Sequence, residues 1–301
     1  MTQNKLEKFK KTGASFTSNV KSSFRIIRKS RASLAGFIII VAFTLMASIG
    51  PNVFPYDRTP HVADRYLPPS WEHLLGTDWA GRDTLAQIIN GSREVLIVAF
   101  LAAIFTTTIA FVIGISSGFI GGKTDTLLML GTDIFLVVPQ FPLLLIIVTT
   151  IPRFLTPPEI ALILGIVGWA TLARGLRAQV LSMKEKEFIE SARCLGLSRF
   201  HILFREILPN LLPYIAMSLI FSIIGAIYSQ VGLYFIGAMP ITVTNWGVMI
   251  QTAIGHGALI NPDVWPYLFS PLICLILIQT GFILFLHSLE EIFNPRLRTE
   301  A

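Results

Sequence analysis

Six apolar runs dominate the chain, at about 34–51, 95–120, 126–150, 160–180, 212–237 and 266–287. A helix rises about 1.5 Å per residue, so about 20 apolar residues cross a hydrocarbon core roughly 30 Å thick. Inside lipid every backbone polar group must be satisfied internally, which admits only helices and closed barrels. The runs are continuous rather than alternating, so helices are indicated. The expected fold class is an all-α integral membrane protein with six transmembrane helices. Composition agrees: the 301 residues are 53% hydrophobic and 14% charged, against about 25% charged in soluble domains. The first run comes after a basic leader, as in a signal peptide. It is long for that role and no A-x-A site follows, so it reads as an uncleaved anchor.

Orientation is set by lysine and arginine. Residues 1–31 carry nine of them against one acid, Glu7, which places this basic segment in the cytoplasm. With a first span at 32–51, the segment 52–94 falls outside; it holds six acids and four arginines. The core of five further spans occupies 95–288. Its turn at 121–125 and its polar insert at 181–211 lie inside, the latter flanked by Arg174, Arg177 and Lys184. The tail 289–301 is inside as well, so both termini are cytoplasmic. The net charge of +6 is explained by this topology and needs no nucleic acid. The basic leader also suits contact with anionic membrane lipids.

Much chemistry is absent. "GKT" at 122–124 resembles the end of a phosphate loop, but Ser117 stands where the first glycine belongs and a span replaces the strand. The chain is therefore not expected to be an enzyme or to bind a cofactor. The five histidines and two cysteines, Cys194 and Cys274, show no metal-ligand or disulfide spacing. Asp133 is the one acid well inside a span, and Arg174 and Arg177 are expected to snorkel from the end of the fourth. Ion-coupled carriers need buried relay groups. Their scarcity disfavours a secondary carrier, and a non-transporting scaffold that recruits a cytoplasmic protein stays open.

The insert "EFIESARCLGLSRFHILFREILPN" at 187–210 is the most informative stretch. Phe188, Ala192 and Leu195 recur at helical spacing, and Gly196 then stands where a helix would stop. Ser198 suits the cap of a second helix, whose stripe is Phe200, Leu203, Phe204, Ile207 and Leu208, with Pro209 as its end. Ser191, Ala192 and Gly196 form a small-residue surface. Docking of a partner there and packing onto the protein's own bundle fit these features equally.

This loop resembles the EAA coupling loop of ATP-binding-cassette (ABC) importer permeases. Glu190-Ser191-Ala192, three residues, Gly196, nine residues and Glu206-Ile207-Leu208-Pro209-Asn210 match its spacing, with Ser191 at the second alanine. "HLLGTDWAGRDTLAQIINGSR" at 73–93, "DTLLMLGTDIFLVVP" at 125–139, "NWGVMI" at 245–250 and "NPRLR" at 294–298 are similar to segments of the branch importing oligopeptides, dipeptides and nickel. Within it the chain is similar to the second, C-type permease subunit. Leu130 departs from the pattern, where the branch usually has an arginine able to pair with an aspartate.

The resemblance implies a type I ABC-importer permease-like core with a cytoplasmic coupling helix. It implies a second, B-type permease subunit, two cytoplasmic ABC ATPases carrying ATP and Mg, and an extracytoplasmic solute-binding protein. Glu190, Ser191, Ala192, Gly196, Leu208 and Pro209 would then couple to the ATPase. Read from the residues themselves, Asp78, Arg82 and Asp83 suit local bonds that shape an external cap, with a purely structural role the favoured alternative. Tyr228, Gln230, Tyr234, Trp246 and Gln251, polar or aromatic groups near the outer half, are candidates for a solute path, and most fit a membrane-interface role equally. Peptides, oligosaccharides and nickel all fit as solutes.

Overall fold

The computed structural model describes residues 30–240 and 244–293, of which 287, 288 and 290–293 by backbone alone. The basic segment as far as residue 29 and the 294–298 signature lie outside these residues. Among the described residues every extended regular element is helical. In chain order they are α1 (Arg31–Val53), α2 (Thr84–Ile120), α3 (Gly122–Val137), α4 (Gln140–Thr150), α5 (Pro157–Gly168), α6 (Ala170–Lys184), α7 (Glu187–Cys194), α8 (Arg199–Phe235), α9 (Trp246–Gly255) and α10 (Trp265–Phe293). Four helices are individually long and apolar enough to cross a membrane. The total reaches six if the bent pairs α3–α4 and α5–α6 each count as one span.

Those bent pairs differ from the straight spans expected from hydropathy. The run at 126–150 turns through 82° between α3 and α4. Pro139 is the cause: its ring forces Val138 out of the helical region, to φ −80°, ψ 124°. The run at 160–180 bends by 52° between α5 and α6. There Trp169 keeps right-handed helical dihedrals, and the bend falls at the Gly168–Trp169 step. Helix α2 also starts earlier than its apolar run. Asp83 caps it by accepting from the Ala86 N–H at 2.7 Å, so polar residues 84–94 become its first turns.

The chain divides into two compact units, one of residues 43–276 and one of the chain ends. In the larger unit, α2 packs along α5, α6 and α8. The close approach depends on missing side chains. A Cβ on Gly114 would lie 2.5 Å from the Ala173 carbonyl oxygen, and one on Gly165 would lie 2.5 Å from Phe105 Cβ. Gly118, one turn beyond Gly114, faces Val180 in the same way, so the pair makes a small-xxx-small contact between membrane helices. In the unit of the chain ends, Gly36 and Gly281 abut, and the rings of Phe37 and Phe285 stand 6.1 Å apart.

The crossing yields a test. Gly114→Leu must displace backbone, and overpacking of this kind costs about 1–3 kcal/mol. A lowered thermal midpoint of the detergent-purified protein is expected. Gly131→Leu on α3, where a Cβ meets nothing within 4 Å, should leave the midpoint in place.

Candidate functional site

The insert folds as a clamp around one glycine. Helix α7 ends in a Schellman turn: the Leu197 N–H donates to the Ala192 carbonyl (3.2 Å) and the Gly196 N–H to that of Arg193 (2.9 Å). Gly196 sits at φ +74°, a left-handed conformation that side chains resist. Ser198 Oγ then accepts from the His201 N–H at 3.2 Å and starts the next helix.

The expected end at Pro209 does not occur. The second helix of the insert runs unbroken into the membrane segment as α8, through a π-helical stretch Ile202–Ile207. The Leu208 N–H donates to Leu203, five residues back. This wider turn just ahead of Pro209 accommodates a ring that would clash in a regular helix interior. Pro209 itself occupies the first turn of the regular helix beyond it.

The π stretch also shifts the buried face. Ile202 and Ile207, one π turn apart, are buried together with Ile189, Ala192, Val180, Ile115 and Leu211. Of the expected stripe, Phe200 and Phe204 are 76% and 56% exposed with their rings stacked at 6.3 Å, whereas Ile207 is buried and Leu203 and Leu208 pack against the same cluster. On α7 the phase is offset likewise: Ile189 and Ala192 are inside, whereas Phe188, Glu190, Ser191 and Leu195 are exposed. Ala192 is therefore part of the inner face, not of an open small-residue surface. The Ser191 hydroxyl donates to the Glu187 carbonyl at 3.0 Å. Arg193 Nη2 donates to the Lys184 carbonyl (3.5 Å), and no ion pair joins it to Glu190 among the described residues.

Helix α6, which leads into α7, is fastened by the arginines expected to snorkel. Arg177 donates to Asp125 on α3 through Nε (2.6 Å) and Nη2 (2.7 Å), and Ser117 of α2 donates to the same carboxylate. Arg174 pairs with Asp133 at 2.5 Å. Lys184 Nζ donates to the Gly118 (3.1 Å) and Phe119 (3.3 Å) carbonyls at the end of α2. The bidentate, three-donor Asp125 cluster is the stronger tie. The Arg174–Asp133 pair is half exposed on both sides, and a single exposed pair contributes about 0–1 kcal/mol.

Asp78, Arg82 and Asp83 converge where 54–83 folds against the start of α2. Asp78 is fully buried. Its carboxylate accepts from the Ala80 (2.8 Å) and Arg82 (3.0 Å) N–H groups, from Arg82 Nε (2.8 Å) and from Gln87 Nε2 (2.9 Å). Burial alone would lower the Arg82 pKa, but the hydrogen bond and charge of Asp78 outweigh it and hold the guanidinium above its ordinary range. Arg82 also lies over the Trp79 ring, which stacks on His256 at 4.6 Å. Asp83 bonds His73 Nδ1 (2.8 Å) with the oxygen not used as the helix cap. At Gly81, φ +77°, a Cβ would run into the His61 backbone, so only glycine closes this turn.

The five solute-path candidates do not share one cavity. Tyr228 is 60% exposed. Gln230 is fully buried, with neither side-chain amide atom partnered. The Tyr234 hydroxyl donates to Glu94 at 2.5 Å, and Trp246 Nε1 donates to the Ile88 carbonyl at 3.1 Å. Gln251 lines a cavity of about 550 Å³ with Tyr56, Trp79, Arg82, His256 and Tyr267. Glu94 was missed as an acid within a spanning helix because α2 begins ahead of its apolar run. A second cavity, of about 390 Å³, opens between α8 and the two bent pairs, lined by Ser218, Ser222, Ser229, Gln140, Thr171 and Tyr214. Its signal in the sequence is a run of serines on one face of an apolar helix.

Comparison with known proteins matches this architecture. A family model for the inner membrane component of binding-protein-dependent transport systems matches residues 110–299. A second, for the N-terminal transmembrane domain of oligopeptide transport permease C, matches 18–69. The chain is 31% identical to the oligopeptide transport system permease protein OppC of Bacillus subtilis, over 92% of this chain and 90% of that one. It is 27% identical to the dipeptide transport system permease protein DppC of the same organism, over 93% and 87%. Identity to OppC of Lactococcus lactis subsp. cremoris is 28%, over 97% and 99%. Among solved structures, a chain of the inward-facing MetNI methionine ABC transporter shares the fold, with TM-score 0.54 at 18% identity. That match covers 67% of this chain and 96% of that one.

The Asp78 cluster gives a prediction independent of these relatives. Asp78→Asn leaves the Arg82 charge unpartnered in a largely buried setting, which costs about 3–5 kcal/mol. Faster hydrogen exchange across 61–87 is expected, while Asp57→Asn, at an exposed carboxylate, should leave exchange there unaltered.

Proposed function

The chain belongs to the family of inner membrane components of binding-protein-dependent transport systems, and from that membership we propose that it is the C-type permease subunit of an ABC importer of oligopeptides or dipeptides. The relatives named as oligopeptide and dipeptide permeases align along almost its whole length and support this reading. In the proposed arrangement the chain makes six spans, the bent pairs counting as one each, with both termini cytoplasmic. A B-type permease completes the membrane pair, two cytoplasmic ATPases bind ATP and Mg, and an extracytoplasmic binding protein delivers solute.

The observation that carries the proposal is the two-faced α7. Its inner face, Ile189 and Ala192, is locked into the bundle, while its outer face leaves Phe188, Glu190, Ser191 and Leu195 open. Self-packing and docking, equal alternatives on sequence alone, use opposite sides of one helix. In our reading the outer face seats on an ATPase. When the ATPases close on ATP, α7 moves as a unit. The Gly196 turn carries that motion into α8, and the Lys184, Arg177 and Arg174 ties carry it through α6 to α2 and α3. One bundle rocking against another then exposes the solute passage to each side in turn. The 54–83 segment, braced by Asp78, would face the binding protein.

Gly196→Asp forces a side chain into the left-handed turn, and Glu190→Lys reverses the charge of the docking face. Each is expected to leave the protein inserted yet abolish ATPase association and ATP-driven uptake in the assembled complex. Full association and transport by either purified variant would refute the assignment of α7 as the coupling helix.

A further inference from the structure

The cavity of about 390 Å³ lies where the regular structure is interrupted twice. Gln140 is the first residue of α4 after the 82° bend, and Gly168 and Thr171 flank the 52° bend between α5 and α6. Across from them α8 contributes Ser218, Ser222, Gly225 and Ser229, spaced i, i+4, i+7 and i+11 and so on one helical face. Discontinuous helices meeting in the membrane are the usual setting of a transporter's solute site, because the broken ends present polar backbone that must line a cavity.

The side chains there have two further properties. Hydroxyls on apolar helices ordinarily satisfy themselves by donating to the carbonyl four residues back. In this chain Thr150, Ser270 and Thr132 do so, at 2.7, 2.5 and 2.8 Å. Ser218, Ser222 and Ser229 make no hydrogen bond within the described residues and leave their hydroxyls to the cavity. The lining also contains no carboxylate, amine, guanidinium or imidazole. A charged solute side chain finds no partner, whereas amide N–H and C=O groups find both acceptors and donors in hydroxyls and in Gln140.

We propose that this cavity is part of the solute passage, and that it engages the peptide backbone through uncharged hydroxyl and amide groups without selecting among side chains. The proposal rests on the peptide-importer reading above. Its consequence is tolerance of charged and uncharged peptide side chains alike within the membrane.

The test uses the complete transporter in proteoliposomes. It measures uptake of tripeptides whose central residue is Lys, Glu or Ala, chosen among those the binding protein binds. Gly225 offers a plug, since a Cβ there meets nothing within 4 Å and the helix should tolerate Leu. Gly225→Leu is expected to cut initial uptake of all three peptides about tenfold, with ATPase activity within about twofold of the parent. The triple variant Ser218→Ala, Ser222→Ala, Ser229→Ala adds no volume and should slow all three about fivefold or more. It carries the test should the plug prevent assembly. Parental rates in both variants, or in the triple variant where only it assembles, would remove the cavity from the passage. Loss confined to the Lys or the Glu peptide would overturn backbone recognition. If the unaltered transporter imports none of the peptides its binding protein holds, the peptide reading itself falls.

Discussion

The contact on which the rest depends is the approach of α2 to α5 and α6 across Gly114, Gly118 and Gly165. Lipid offers apolar side chains no reason to leave it for one another, so dispersion at close range must hold membrane helices together. Where backbone meets backbone, that contact is densest. Here it also sets position. Lys184 can reach the terminal carbonyls of α2, and Ser117 can reach Asp125, only because α6 and α3 are drawn in at that end. The opposite end of α2 is organised by Asp83 and the Asp78 cluster. One helix thus connects the two polar regions of the protein.

That arrangement explains why the insert can be both packed and available. A loop attached only through its chain ends would absorb a push by bending. Helix α7 is instead attached by buried Ile189 and Ala192, by a Schellman turn, and through α6 by three basic side chains. The ties are unequal. Arg177 carries a bidentate, partly buried contact, whereas Arg174 contributes an exposed pair of small energy. The attachment of α6 to α3 is therefore concentrated at Asp125, close to the insert.

The apolar helices were legible because hydropathy averages over many residues, and the two helices of the insert because their glycine and capping signals are local. Phase and breakage were not legible. A π turn moves every later residue by part of a turn, so a regular-helix stripe does not predict that Ile202 shares the buried face with Ile207 or that Phe204 lies outside. Pro139 was visible but sat in apolar surroundings that favoured a continuous span. The bend at Trp169 has no proline. Residues in the membrane were harder again: Tyr234 and Trp246 are polar aromatics satisfied within the bundle, at Glu94 and Ile88, and their chemistry alone does not separate them from residues facing a cavity.

The breaks and the unpaired serines belong to the same physical problem. Interrupting a membrane helix frees backbone groups that lipid cannot satisfy, so an interruption survives only beside protein or a polar space. Two interruptions facing each other share that requirement, and a polar wall on α8 meets it for both. A hydroxyl folded back onto its own helix would contribute nothing to that space. The serines of α8 differ from Thr150 and Ser270 in this respect alone: the chemistry is the same and the direction is not. Orientation at the breaks, rather than residue type, is what distinguishes a polar cavity from a packed seam in this bundle.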